Sequence, residues 1–152
     1  MTSDDALGEP LPGDQVAAVC YRRTSSGIEY LFIKSSSGKR IFPKGKVEVG
    51  ERPWDAAARE AKEEAGVLGT VSPDQLATFQ FERPKRGTRE KVTAYLLEAV
   101  PVQGISEKGR KPKWWDFETA VEKLAKKKHA TNSAELTRVL REAHNVLTAQ
   151  ND

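Results

Sequence analysis

The chain has 152 residues, 38% hydrophobic and 31% charged, with 25 Lys and Arg against 22 Asp and Glu for a formal net charge of +3. That length suits one domain with a proper core, and no apolar run approaches a membrane span. The single cysteine, Cys20, excludes a disulfide framework, and the small net charge makes the placement of basic residues more telling than their sum.

Residues 1–13 are polar, include Pro10 and Pro12, and lack the basic-then-apolar order of a signal peptide. They are expected to form a flexible leader to one domain over residues 14–149, and a cytoplasmic protein without a membrane partner is expected. Residues 16–21 are a continuous apolar run and read as a central strand, with Cys20 as a buried thiol. A turn at Ser25-Ser26-Gly27 precedes a second strand over 30–33. Residues 35–38 form a loop, and Arg40-Ile41-Phe42 a short strand leading to Pro43-Lys44-Gly45. After a helix in the fifties and sixties, residues 76–81 and 92–100 read as a long hairpin. Its connection is crowded with Arg83, Lys85, Arg86, Arg89 and Lys91. Residues 113–117 are a short aromatic strand, and 118–127 a helix with Val121, Leu124 and Ala125 as its apolar stripe. The last helix spans 133–147, capped by Asn132 or Ser133, with Leu136, Val139, Leu140 and Ala143 facing inward. His129 and His144 are isolated and receive no role. A mixed sheet with helices on both faces follows, an α/β architecture.

The helix after Glu51 carries the chemistry. Pro53 suits a first helical position, Asp55 places negative charge in the first turn, and Gly66 supplies the stop. Ala56, Ala57, Ala58, Ala61 and Ala65 permit close packing. Glu60, Glu63 and Glu64 stand at i, i+3 and i+4, on one face. Three glutamates alone also describe a solvated acidic face, but like charges at that spacing repel, and a divalent cation would turn the repulsion into a site. Oxygen-only ligands select Mg²⁺ or Mn²⁺ over zinc, and Mg²⁺ on a few carboxylates works on phosphates.

Gly45, five residues, Glu51, seven residues, Arg59-Glu60, Ala61, one more, Glu63-Glu64, one more, then Gly66-Val67 resembles the Nudix hydrolase signature at every fixed position, with Ala61 smaller than the usual aliphatic residue. The resemblance runs over roughly 16–140. Lys34-Ser35-Ser36-Ser37, Phe42-Pro43-Lys44-Gly45 and the stretch from Arg110 to Trp115 look like the diphosphoinositol polyphosphate phosphohydrolases. Pro43-Lys44-Gly45 is also similar to diadenosine polyphosphate hydrolases. The resemblance implies an α/β/α Nudix sandwich and water attack on a phosphoanhydride phosphorus.

Carried over residue by residue, it implies Glu60, Glu63 and Glu64 with the Gly45 carbonyl as ligands to Mg²⁺ or Mn²⁺. Glu51 and Arg59 resemble the pair that orients loop and helix. Glu63 is taken as the general base, with Glu82 and Glu98 as candidates outside the signature. Lys44 is the foremost phosphate contact, with Arg40 and Lys39 nearby, and Arg83, Lys85, Arg86 and Arg89 form a basic clamp. Lys128 matches a lysine used in the inositol-phosphate group. Tyr95, Trp114 and Trp115 would stack a base of a dinucleoside polyphosphate, with at least one tryptophan in the core. Two departures from the inositol-phosphate pattern are Asp14-Gln15, where basic residues are usual, and Lys46, where glycine is. A small-molecule polyphosphate is thus the expected partner. The alternatives are hydrolysis of RNA 5′ ends and a non-catalytic nucleotide- or RNA-binding module.

Overall fold

The computed structural model describes residues 8–149. Of the leader expected over 1–13, the first seven residues lie outside the described residues. In the remainder, Gly8 O accepts a hydrogen bond from Gln75 Nε2 at 2.9 Å, and Gly13 N–H donates to Val47 O at 2.8 Å.

Seven strands build one sheet: β1 (Gln15–Thr24), β2 (Gly27–Lys34), β3 (Arg40–Ile41), β4 (Lys44–Lys46), β5 (Gly69–Arg83), β6 (Thr88–Ala99) and β7 (Lys113–Asp116). The main path is β3-β2-β1-β6-β5, with β4 on β1 and β7 on β2. β1 and β6 are parallel, and the other pairs are antiparallel. Val16 to Cys20 are fully buried, as a strand covered on both faces requires. On one side β1 has two partners. Its start pairs with β4 (Val16 opposite Gly45) and its end with β2 (Tyr21 opposite Tyr30). The chain crosses between these partners over 35–43, beside the cleft described below.

Among the described residues three α-helices complete the α/β/α arrangement: α1 (Pro53–Glu60), α2 (Phe117–Leu124) and α3 (Ala130–Ala149). Ala56, Ala57, Ala61 and Ala65 are buried, bringing α1 and its continuation against β1 and β5. Leu124, Leu136, Val139, Leu140, Ala143 and Leu147 join the same core. Among the described residues no helix is long and apolar enough to cross a membrane.

The structure corrects several expectations. The signature helix is not one regular helix: after Glu60 it widens into a π-helical turn, Ala61–Ala65, ending on Gly66 at φ 70°. Lys44–Lys46 forms a strand although it is polar, because β1 supplies its hydrogen bonds. β5 begins at Gly69 and absorbs register irregularities between Val71 and Ala77. α3 begins at Ala130, so Asn132 lies inside it rather than capping it. α2 is instead capped by Asp116, whose carboxylate accepts the Thr119 N–H at 2.8 Å. The two histidines have structural partners. His144 Nδ1 lies 2.8 Å from Tyr30 Oη, with its ring stacked 4.2 Å from Phe117, and buried His129 accepts the Arg40 N–H at 3.4 Å.

Candidate active site

Arg59 ties the β4–α1 loop to the acidic turn. Its guanidinium grips Glu51 with two bonds, at 2.8 and 3.0 Å, and donates to Lys46 O at 3.0 Å and to Glu60 Oε2 at 3.0 Å. The doubly bonded Glu51 carboxyl is held below its ordinary range, and Arg59 is locked in its charged form. Glu51 also accepts the Glu48 N–H at 3.0 Å, closing the loop on itself.

Glu60 and Glu64 come together beneath this clamp. Burial raises both, and the charge of Glu60 adds to the rise at Glu64, which is pushed up to about 7. The Lys44 N–H, donating to Glu64 Oε1 at 3.0 Å, and Arg110, at 3.6 Å from Glu64 Oε2, counter part of that rise. Glu63 is more open, with its side chain 58% exposed and its Oε1 3.4 Å from the Arg59 Nη1 that also holds Glu60. Among the described residues, no three His, Cys, Asp or Glu side chains converge on one point. The donor set nevertheless fits a hard divalent cation. Burial and mutual repulsion disfavour charge on the two carboxylates, and a divalent cation would relieve both. Gly45 completes the cradle, since a Cβ there would collide with the Glu60 carboxylate.

Beside this pair opens a cleft of about 490 Å³, lined by Lys34, Ser35, Lys44, Glu64, Arg83 and Arg110 among others. Lys44 is the hinge between the two features. Its side chain is only 6% exposed, and its Nζ lies 3.6 Å from Glu90 Oε1 and 4.5 Å from the Phe81 ring centre. Burial, then the charge of Arg83, lowers the Lys44 ammonium to about 8 against the pull of Glu90 and Glu64. Arg83 Nε donates to the same Glu90 oxygen at 3.1 Å. Glu90 therefore holds two cations side by side.

Of the residues expected to contact phosphate, Lys44 and Arg83 line the cleft, while Lys85, Arg86 and Arg89 of the basic clamp stand exposed at the hairpin tip. Arg89 lies 3.9 Å from Glu82. Arg40 donates to the carbonyls of Lys111 and Phe32 and lies over Trp115. Lys128 is exposed in the 3₁₀ turn after α2. Glu82 and Glu98 do not line the cleft, and Glu98 instead receives the Tyr21 hydroxyl at 3.5 Å. Tyr95 is fully buried, Trp114 lies beneath Arg22, and Trp115 packs on Phe32.

Site features missed from the sequence are Glu90, which holds Lys44 and Arg83, the cleft residues Lys34 and Lys108, and the role of Arg110. Arg110 bonds Glu107 and donates to Lys34 O at 3.2 Å. Its loop is fastened to the acidic turn by Gly104 N–H to Gly66 O at 2.7 Å and Glu107 N–H to Glu64 O at 3.2 Å. The Arg110-Lys111 pair was visible as a motif, but nothing local in sequence linked it to Glu64.

The family model described as NUDIX domain matches residues 13–140. The chain belongs to the Nudix family. Nudix hydrolase 17, mitochondrial, of Arabidopsis thaliana is 45% identical over 67 residues, 43% of this chain, and the match spans only 36% of that relative's length. The asymmetrical bis(5′-nucleosyl)-tetraphosphatase of Caenorhabditis elegans is 31% identical over 68% of this chain and 78% of its own. Diphosphoinositol polyphosphate phosphohydrolase 2 of Rattus norvegicus is 34% identical over 72% of this chain and 62% of its own. The crystal structure of a C. elegans Ap4A hydrolase binary complex superposes with a TM-score of 0.72 at 26% identity, covering 90% of this chain and 98% of that one. These matches agree with both expected subfamilies and with the α/β/α Nudix sandwich.

Proposed function

We propose that this Nudix protein is a divalent-metal-dependent hydrolase that cleaves a phosphoanhydride bond in a polyphosphorylated small molecule. One observation carries the reading: Lys44 touches the carboxylate pair with its backbone and the cationic cleft with its side chain. A cation site and a polyanion site thus share a wall.

Glu60 and Glu64, with the Gly45 carbonyl, would hold Mg²⁺ or Mn²⁺, and Glu63 completes the ligand set or stands free as base. A bound cation neutralises charge on the transferring group and lowers the pKa of its water. Glu63, open to solvent beside Arg59, is suited to accept the proton of the attacking water. Arg59 and Glu51 hold the turn in place. Lys44, Arg83 and Arg110 neutralise the phosphates that are not attacked. Residues 14–149 are read as the one catalytic domain. The cytoplasm is the proposed compartment, in keeping with one buried thiol, although the Arabidopsis relative is named as mitochondrial.

The cleft lining includes no aromatic side chain, while five of its residues are Lys or Arg: Lys34, Lys44, Arg83, Lys108 and Arg110. This supports recognition through phosphates rather than through a stacked base. We read it as support for diphosphoinositol polyphosphates as well as diadenosine tetraphosphate as substrates, despite Asp14-Gln15 and Lys46. Competition between the two classes for turnover by one enzyme preparation tests the choice. An RNA 5′ end is the second reading, favoured by Lys39, Arg40, Lys126 and Lys128 gathering around His129 outside the cleft.

A further inference from the structure

The open edge of β5 is closed by side chains of α3. The Glu82 N–H donates to Asn132 Oδ1 at 2.9 Å, and Asn132 Nδ2 donates back to Glu82 O at 3.1 Å. One turn later the Gln80 N–H donates to Glu135 Oε1 at 2.9 Å. A further turn on, Arg138 Nη2 donates to Thr78 O at 2.7 Å. Residues 132, 135 and 138 occupy one helix face, and 82, 80 and 78 are the outward-facing backbone positions of a strand. The helix face therefore acts as the missing neighbour strand, running antiparallel to β5. Asn132 makes the fullest rung, because its amide offers one donor and one acceptor, as a backbone unit does.

That rung lies where β5 enters the cleft. The next residue is Arg83, which bonds Glu90, and Glu90 also holds Lys44. Phe81, on the other side of Glu82, lies under both Lys44 and Arg83. Glu90 sits directly opposite Phe81 on β6. The hairpin end that presents this cation pair continues into an exposed 3₁₀ turn at Pro84–Arg86. Its backbone is fixed from outside by Asn132 alone among the α3 rungs.

We propose that Asn132 is a positioning residue for polyphosphate binding: its amide pins the Glu82 backbone so that Arg83, Glu90 and Lys44 meet the substrate as one preformed unit. This proposal rests on the reading of the cleft as a polyphosphate site. Asn132 does not reach the cleft and takes no part in the chemistry. Removing it frees Arg83 to sample other directions, and the binding step then has to re-order it. The loss therefore falls on KM and not on kcat.

The test compares Asn132→Ala and Asn132→Asp with Glu135→Ala, using calorimetric binding of inorganic tripolyphosphate, KM and kcat on the best substrate, and thermal melting. Asn132→Asp keeps the acceptor for the Glu82 N–H but sets a carboxylate against the Glu82 carbonyl. It guards against failure of the alanine variant to fold. Asn132→Ala is expected to weaken tripolyphosphate binding and raise KM by about 5-fold, the scale of one or two lost hydrogen bonds, with kcat unchanged. Asn132→Asp should fall between it and the wild type. Glu135→Ala, one rung further from the cleft, should lower the melting temperature but leave KM in place. Equal binding by wild type and both Asn132 variants overturns the proposal, as does an equal KM rise in Glu135→Ala, which would mark a general structural role. A wild type that binds no tripolyphosphate overturns the reading of the cleft itself, and this proposal with it.

Discussion

The backbone N–H of Lys44 donates to the Glu64 carboxylate at 3.0 Å, so the first residue of β4 is fastened to the acidic turn that follows α1. The same residue sends its ammonium the other way, to Glu90. A shift at the acidic turn is thereby felt in the cleft, and each consequence can be measured.

Glu64→Gln keeps the shape of the side chain and removes its charge. Turnover in Mg²⁺ is expected to fall by about 100-fold or more while the circular dichroism spectrum stays native. Glu63→Gln should impair kcat with less effect on metal affinity, since its side chain faces solvent beside Arg59. Product formation and metal titration check both, and full activity in both variants would remove the metal-site assignment.

The metal-free protein should carry a pH signature at Glu60 and Glu64. Both are raised in the folded state, Glu64 to about 7, so folding takes up protons there. Their contribution to stability is whole below the unfolded carboxylate pKa and is lost as pH rises through about 7. His129 and His144, both lowered, act in the opposite sense below neutrality. The clean readout is thus the melting temperature of wild type minus that of Glu64→Gln, which should fall between about pH 5 and pH 8. Mg²⁺ should restore it at the upper end and do little at the lower. A difference flat in pH would show that the pair is not proton-linked.

Lys44→Ala should raise KM for polyphosphates by about 10-fold, with weak dependence on salt because the ammonium is buried. Charge reversal at the exposed Arg86 and Arg89 should act on the most highly charged substrates first and fade above about 0.5 M salt, where the screening length is a few ångströms. Kinetics across a salt series separate the two, and a uniform loss at all salt concentrations in the Arg86/Arg89 variant would point to misfolding instead.

Gly66→Ala tests the fastening of the Arg110 loop. Gly66 has φ 70°, and a Cβ there would lie 2.7 Å from the Gly104 carbonyl oxygen. A destabilisation of about 1–2 kcal/mol is expected from the left-handed backbone, with a further loss from the displaced loop. Denaturant unfolding gives the first quantity, and a rise in KM through misplaced Arg110 reports the second.

The acidic helix and the central strand were legible because their signals are local: fixed spacing for Glu60, Glu63 and Glu64, and an unbroken apolar run at Val16 to Cys20. The π-helical turn was not, since the periodicity of residues 53–66 fits a regular helix and only packing selects the wider turn. β4 was missed because Lys44–Lys46 has no strand propensity and exists through its pairing with β1. Asn132 was read as a cap because a side-chain amide near a helix start usually serves one. Its actual partner, Glu82, is 50 residues away. The basic run at 83–91 marked the right hairpin, but only Arg83 turns inward, and the remaining cations of the cleft arrive from β4 (Lys44), the loop at 107–110 and the end of β2.

The most direct test of the central claim is chromatographic profiling of the hydrolysis products formed in Mg²⁺ or Mn²⁺. The panel holds diadenosine tetraphosphate, a diphosphoinositol polyphosphate, nucleoside triphosphates and ADP-ribose, with Glu64→Gln alongside. The account predicts metal-dependent turnover of at least one of the first two, lost on chelation and lost in the variant. Tight binding of a polyphosphate with no turnover of any compound would contradict it and make the cleft a binding module.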